Sequence, residues 1–113
     1  MKKSLKQKLA AHDMTLGGWI MIGHPAVAEI MARAGFDWVV MDMEHSAMTT
    51  QQAEDLIRAV ETGGSEALVR LTNNDPNLIK RVMDSGASGI IVPMLTTPEE
   101  AEAAVAAMYY PPR

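Results

Sequence analysis

A chain of 113 residues, 48% of them hydrophobic, has the size and apolar content of one globular domain with a core. Ten basic against fourteen acidic residues leave a net charge of -4, which argues against a nucleic-acid groove or an anionic membrane as principal partner and points to a small molecule. The absence of cysteine rules out disulfides, thiolate nucleophiles and Cys-ligated zinc.

The leader Met1-Lys-Lys and the following Ser4-Leu-Lys-Gln-Lys-Leu9 are too polar for a signal peptide, and no apolar run approaches a membrane span. The chain is therefore expected to be soluble and cytoplasmic. Leu5, Leu9 and Ala10 share one stripe of a short N-terminal helix. The apolar run over 16–22, bounded by turn formers, predicts a first strand. Pro25 starts a helix carrying Ala26, Ile30, Met31 and Ala34, which Gly35 ends. A second strand is predicted over 37–44. Thr49 or Thr50 then caps a helix with Ala53, Leu56, Ile57 and Val60 on its inner stripe, closed by Gly63-Gly64. A third strand over 66–71 leads through Asn73-Asn-Asp-Pro76 to a helix carrying Leu78, Ile79, Val82 and Met83 and ending at Gly86. A fourth strand over 89–95 precedes Thr97-Pro-Glu-Glu100, read as a capping box with Pro98 at the first helical position. Ala101, Ala104, Val105 and Met108 continue that last helix.

Four βα units with short loops imply parallel strands joined by right-handed crossovers. Such a sheet is either doubly wound or half of an eight-stranded barrel, and periodicity does not choose between them. In both, ligands bind beyond the carboxyl ends of the strands. Asp42, Glu44 and His45 close the second strand and Arg70 closes the third, so all four are candidates for that face. Alternation places Asp42 and Glu44 on one side and His45 on the other, unless the strand ends near residue 44 and frees the imidazole. A base, an acid to orient it and a guanidinium for a carboxylate make a coherent set.

Plainer readings stand beside these. Asp42-x-Glu-His45 also serves as a turn and capping cluster, and Arg70 as an ion-pair residue. Asp84 fits a helix end before Gly86, Trp19 fits a core position, and the ten methionines fit packing. His12 and His24 fall in loops without assigned chemistry. No dinucleotide fingerprint or Walker motif occurs.

The ordered set Gly18-Trp19, Pro25-x-x-x-Glu29, Ala34-Gly-Phe-Asp-Trp38, Asp42-x-Glu-His45, Leu68-Val-Arg70, Ile79-Lys-Arg-x-x-Asp84-x-Gly86, Gly89-Ile-Ile-Val-Pro-Met94 and Tyr110-Pro-Pro112 resembles the HpcH/HpaI family of metal-dependent class II pyruvate aldolases over nearly the whole chain. The resemblance implies a modified TIM barrel that cleaves 4-hydroxy-2-oxo acids to pyruvate and an aldehyde, through a pyruvate enolate on divalent magnesium, manganese or cobalt. It implies His45 as the base acting through a metal-bound water, and Arg70 as the group that holds the pyruvate carboxylate and steadies the enolate. Asp42 and Asp84 would support the histidine, and Trp19 would join Arg70 in binding substrate. Asp84 precedes the fourth strand, at the other end of its own barrel, so it is expected to reach a histidine only across a subunit interface.

In that family the metal is held by a Glu and an Asp from later strands, past the loop after Tyr110-Pro-Pro112. Neither position occurs in these 113 residues, and Glu44 is not a substitute that the pattern supports. Residues 1–113 are thus expected to form a single partial domain, the N-terminal half of a TIM (β/α)8 barrel, produced by a shortened gene, a split gene or a trimmed chain. The functional expectation is an aldolase that acts only when a complementary C-terminal half supplies the metal ligands. The alternatives are a non-catalytic half-barrel that self-associates as a homo-oligomer, because open edges and an apolar interior face are costly when wet, or an inactive fragment.

Overall fold

Polar residues ahead of each helix do the capping that the chain pattern calls for. The structure, a computed structural model, describes residues 2–109. A short α1 (Leu5–Ala10) starts on a reciprocal box between Ser4 and Gln7. Four strand–helix units follow: β1 (Gly17–Ile20), α2 (Pro25–Arg33), β2 (Trp38–Asp42), α3 (Thr50–Thr62), β3 (Glu66–Arg70), α4 (Pro76–Asp84), β4 (Gly89–Ile91) and α5 (Pro98–Ala107). Thr49, Asp75 and Thr97 each accept a first-turn N–H, and α2, α4 and α5 each begin on a proline. His24 is also a cap: its Nδ1 accepts the Ala26 N–H at 3.1 Å, a structural task that its loop position had hidden. The predicted box at α5 is shifted by one residue, because the Glu100 carboxylate accepts from the Thr96 N–H, not from that of Thr97.

Gly35 follows α2 with φ +103°, and nothing lies within 4 Å of where its Cβ would stand. A side chain there meets no neighbour and only the left-handed backbone penalty, so Gly35→Ala is expected to cost about 1 kcal/mol. A thermal melt lowered by about 5 °C checks this.

The sheet runs in the order β1-β2-β3-β4 with every neighbouring pair parallel. A doubly wound sheet reverses direction at a switch point, whereas an unbroken consecutive order is an arc of a barrel with its helices on one face. The alternative that periodicity left open is thereby decided. On the helix side, Val39, Met41 and Val69 join Leu56, Ile57 and Ile79 in one core. On the concave side the ring of Trp38 lies across Gly17, where a Cβ would stand 2.0 Å from the ring, so only glycine fits. Above it, Trp19, Val40, Leu68 and Gly89 share one level, and Asp42, Arg70 and Ile91 the next.

The concave face was expected to be wet and is not uniformly so. Val40 is 0% exposed, flanked in register by Trp19 and Leu68. Among the described residues the exposed large apolar side chains all lie before position 31 or after position 93, that is, in the first and last units.

Two further elements differ from expectation. β4 stops at Ile91 instead of 95, since Pro93 has no N–H to give and Met94 adopts φ +60°. In α1 only Leu5 is buried while Leu9 is 56% exposed. This six-residue helix is tied to the sheet by the Leu5 N–H bond to the Glu66 carboxylate and by Lys8, 2.5 Å from Asp37. Lys8 and the Leu16 N–H hold the Asp37 carboxyl below the ordinary carboxylate range. Tyr110-Pro-Pro112 lies outside the described residues. No helix among them is long and apolar enough to cross a membrane.

Candidate functional site

β2 and β3 are in register so that Asp42 faces Arg70 as their last residues. Both side chains project from the concave face at the carboxyl ends of the strands. Asp42 is completely buried, and its two oxygens accept from Arg70 in parallel, Nε to Oδ1 at 3.2 Å and Nη2 to Oδ2 at 2.6 Å. Oδ1 also accepts the backbone N–H groups of Glu44 (2.9 Å) and His45 (3.0 Å), which turns the chain sharply off the strand. Ser46 Oγ closes the turn by donating to the Asp42 carbonyl.

This hydrogen bonding sets the electrostatics. The Arg70 guanidinium, with the two N–H groups, holds the Asp42 carboxyl below its usual range despite burial, and Asp42 in turn raises Arg70. Glu44 completes the cluster: one oxygen stands 3.5 Å from Arg70 Nε and 3.3 Å from His45 Nε2. The Arg70 guanidinium carbon sits 4.7 Å from the centroid of the Trp19 ring, a cation–π contact that adds a flat support.

Trp19, Asp42, Glu44, His45 and Arg70 are thus brought together at one strand end. Trp19 is 45% exposed on the concave face, away from the helix-side core. The imidazole of His45 is mostly exposed, and the carboxylate it meets is that of Glu44; Asp42 reaches His45 only through the main chain. The reason is local. Asp42 Oδ1 already takes Arg70 Nε and the two backbone donors and Oδ2 takes Arg70 Nη2, so the carboxylate is held toward β3 and the main chain. Asp84, the last residue of α4, is exposed and lines an outer cleft with Arg81 and with Thr50 and Glu54 of α3, so this chain does not carry it to the cluster. Alternation places Glu44 beside Asp42 as a candidate for this face without giving it a partner; the structure sets it against His45 and Arg70.

Arg70 presents two recognition edges. Asp42 occupies the Nε/Nη2 edge, so a ligand carboxylate can be met only by the end-on edge formed by Nη1 and the second hydrogen of Nη2. Nearby, Thr72 and Asn73 with Pro93, Met94 and Leu95 border a cleft of about 350 Å³ between the loops that follow β3 and β4.

The metal that the resemblance implies does not fit the residues present. Among the described residues no group of three or more His, Cys, Asp or Glu is placed to hold an ion. Asp42 accepts donors at both oxygens, and Glu44 is shared between the Arg70 guanidinium and the His45 imidazole. An oxygen-donor site for magnesium or manganese draws on one or two carboxylates whose oxygens are not already committed to protein donors.

Comparison with known proteins agrees with this architecture. The family model described as HpcH/HpaI aldolase/citrate lyase matches residues 15–113. The 4-hydroxy-2-oxovalerate aldolase of Novosphingobium aromaticivorans is 42% identical over 110 residues, covering 96% of this chain and 42% of that protein. The 2-dehydro-3,6-dideoxy-6-sulfogluconate aldolase of Pseudomonas putida is 39% identical over 92% of this chain and 41% of its own length. Among solved structures, the HpcH/HpaI aldolase of Desulfitobacterium hafniense superposes with a TM-score of 0.87 at 30% identity, over 98% of this chain and 43% of that one. The chain spans about two fifths of the length of the curated relatives it matches. Its four parallel strands and their helices form the first half of these TIM-barrel aldolases, and the chain belongs to the HpcH/HpaI aldolase/citrate lyase family.

Proposed function

We propose that this chain supplies the carboxylate clamp and the proton-handling group of an aldolase that interconverts a 4-hydroxy-2-oxo acid with pyruvate and an aldehyde. The observation that carries the reading is Arg70, fixed at the strand end by Asp42 and Trp19 with one edge left for a carboxylate. The names of the relatives, among them 4-hydroxy-2-oxovalerate aldolase and pyruvate aldolase, support a small oxo acid as ligand. In the cleavage direction the C4 hydroxyl loses its proton and the C3–C4 bond breaks. The aldehyde departs, and the remaining enolate takes a proton at C3 to give pyruvate. His45, exposed at the mouth with Glu44 behind it, is the group in this chain able to take and return that proton. Arg70 carries the carboxylate and faces the negative charge that builds on the enolate. Ligands for a divalent ion come, in this reading, from polypeptide outside the described residues.

The test is reconstitution. The 113-residue chain is assayed for pyruvate release from 4-hydroxy-2-oxovalerate with magnesium, manganese or cobalt, alone and co-expressed with the remaining C-terminal part of the Novosphingobium relative. Turnover is expected only in the co-expressed pair. Metal-dependent turnover by the chain alone, or a folded stoichiometric complex that is inert, would overturn the reading.

A further inference from the structure

The geometry points to the class of aldehyde that this chain accepts: a short, uncharged one carrying a hydroxyl group, seated in the cleft between the loops that follow β3 and β4. The inference rests on the aldolase reading above and concerns the part of the substrate that Arg70 does not hold. The ladder between β3 and β4 runs one residue past Arg70, the Leu71 N–H donating to the Ile91 carbonyl at 3.0 Å. Leu71 is buried in the helix-side core, so alternation returns Thr72 to the side of Arg70, about 7 Å farther along the strand. In an extended 4-hydroxy-2-oxo acid the carboxylate carbon and C5 stand about 5 Å apart. A ligand whose carboxylate lies on the free edge of Arg70 therefore brings its C4 hydroxyl and the carbons beyond it to the level of Thr72.

Both walls of this cleft of about 350 Å³ are βα loops that the chain carries whole. Asn74 Nδ2 donates to the Glu100 carbonyl at 3.0 Å and ties the loop after β3 to the start of α5. On the other wall Met94 holds φ +60°, and strained backbone of this kind gathers at ligand sites.

The polar groups of the cleft select the ligand. Thr72 Oγ1 donates to Asn73 Oδ1 at 3.4 Å, which leaves the Thr72 lone pairs and the Asn73 Nδ2 hydrogens for a ligand. A hydroxyl suits this pair, because it donates to one and accepts from the other. A carboxylate only accepts. None of the described residues that border the cleft is basic, and Glu100, whose carboxylate accepts from Thr96, adds negative charge that repels an anionic tail.

In the condensation direction C3 of the pyruvate enolate forms the bond to the aldehyde carbon and the aldehyde oxygen takes a proton, so the two stages can be read apart. The co-expressed pair is first given pyruvate in deuterium oxide without aldehyde, where loss of the methyl proton signal reports enolate formation. It is then given glyceraldehyde, propanal or 4-oxobutanoate with pyruvate. The kcat/KM for glyceraldehyde is expected to exceed that for each of the others by about tenfold or more. Thr72→Val and Asn73→Ala should each shrink the glyceraldehyde-to-propanal ratio by about fivefold or more. Glu100→Gln, which can still accept from Thr96, should raise the use of 4-oxobutanoate against glyceraldehyde. Circular dichroism checks folding, and should one cleft variant misfold, the other gives the same reading. A pair that does not exchange the methyl protons overturns the aldolase reading and this inference with it. Exchange without the aldehyde preference, or a preference that survives both Thr72→Val and Asn73→Ala, overturns this inference alone.

Discussion

Replacing Asp42 by alanine is expected to lower stability at pH 7 by about 2 kcal/mol, or about 10 °C in a thermal melt. Asp42 is wholly buried and accepts four N–H bonds, two of them from the Arg70 guanidinium. Without it the guanidinium keeps the Trp19 ring and, as its carboxylate partner, Glu44 at 3.5 Å, and the turn that carries Glu44 and His45 loses its anchor. The effect has a pH signature. Because Arg70 holds the Asp42 carboxyl below its ordinary value of about 3.9, the folded state binds fewer protons than the unfolded chain in that range. The stabilisation is therefore full above the unfolded value and disappears as pH falls through the lowered folded one. Wild type and Asp42→Ala should differ most at neutral pH and converge in acid. Asp37, lowered in the same direction by Lys8, leaves both proteins some acid lability. Denaturant melts from pH 2 to 8 measure the gap; a gap that is absent at pH 7, or constant down to the acid limit, would remove Asp42 from the centre of this cluster.

The architecture was largely legible in the sequence because it rests on local chemistry. Prolines at the starts of α2, α4 and α5 and glycines after the helices mark boundaries through fixed φ and left-handed φ, whatever surrounds them. The strand faces follow from alternation, which is why Asp42 and Arg70 fall together as partners. Prediction failed where a position depends on competition between partners. β4 looked seven residues long by composition, yet its second half meets a proline and a left-handed methionine. Glu100 had two N–H groups within reach and chose that of Thr96.

The site shows the same division. That acids, an imidazole and a guanidinium meet at one end follows from strand order, but which carboxylate serves which partner does not. Asp42 outcompetes Glu44 for the guanidinium because it lies directly opposite Arg70 in the register, as well as at the turn where two amides point back. Glu44 is then left to the imidazole at 3.3 Å and a longer contact with Arg70 Nε at 3.5 Å. The fork that sequence reasoning assigned to a substrate carboxylate is half consumed by the protein itself.

In the assembled pair of halves, His45→Ala and Arg70→Ala are expected to fail in different ways. Loss of a positioned proton-transfer group typically costs 10²- to 10⁴-fold in rate, and His45, at the exposed edge of the cluster, braces neither Asp42 nor Arg70. His45→Ala should therefore depress kcat by about 10²-fold or more while leaving pyruvate affinity within about twofold. Arg70→Ala removes a charge-assisted contact present in both bound substrate and enolate, so affinity and kcat should each fall, by about tenfold or more. It also leaves Asp42 buried without its cation, so binding has to be measured where circular dichroism shows the variant folded. Arg70→Lys keeps the charge but cannot span Asp42 and a ligand at once, and it should recover folding better than affinity. Glu44→Gln separates the two roles further: it preserves shape beside both His45 and Arg70 while removing the charge they share, and a fall confined to kcat would assign Glu44 to the histidine. Undiminished turnover in His45→Ala would send the proton elsewhere. Unaltered pyruvate affinity in a folded Arg70→Ala would reduce the guanidinium to a brace for Asp42, and with it the clamp on which the proposed chemistry rests.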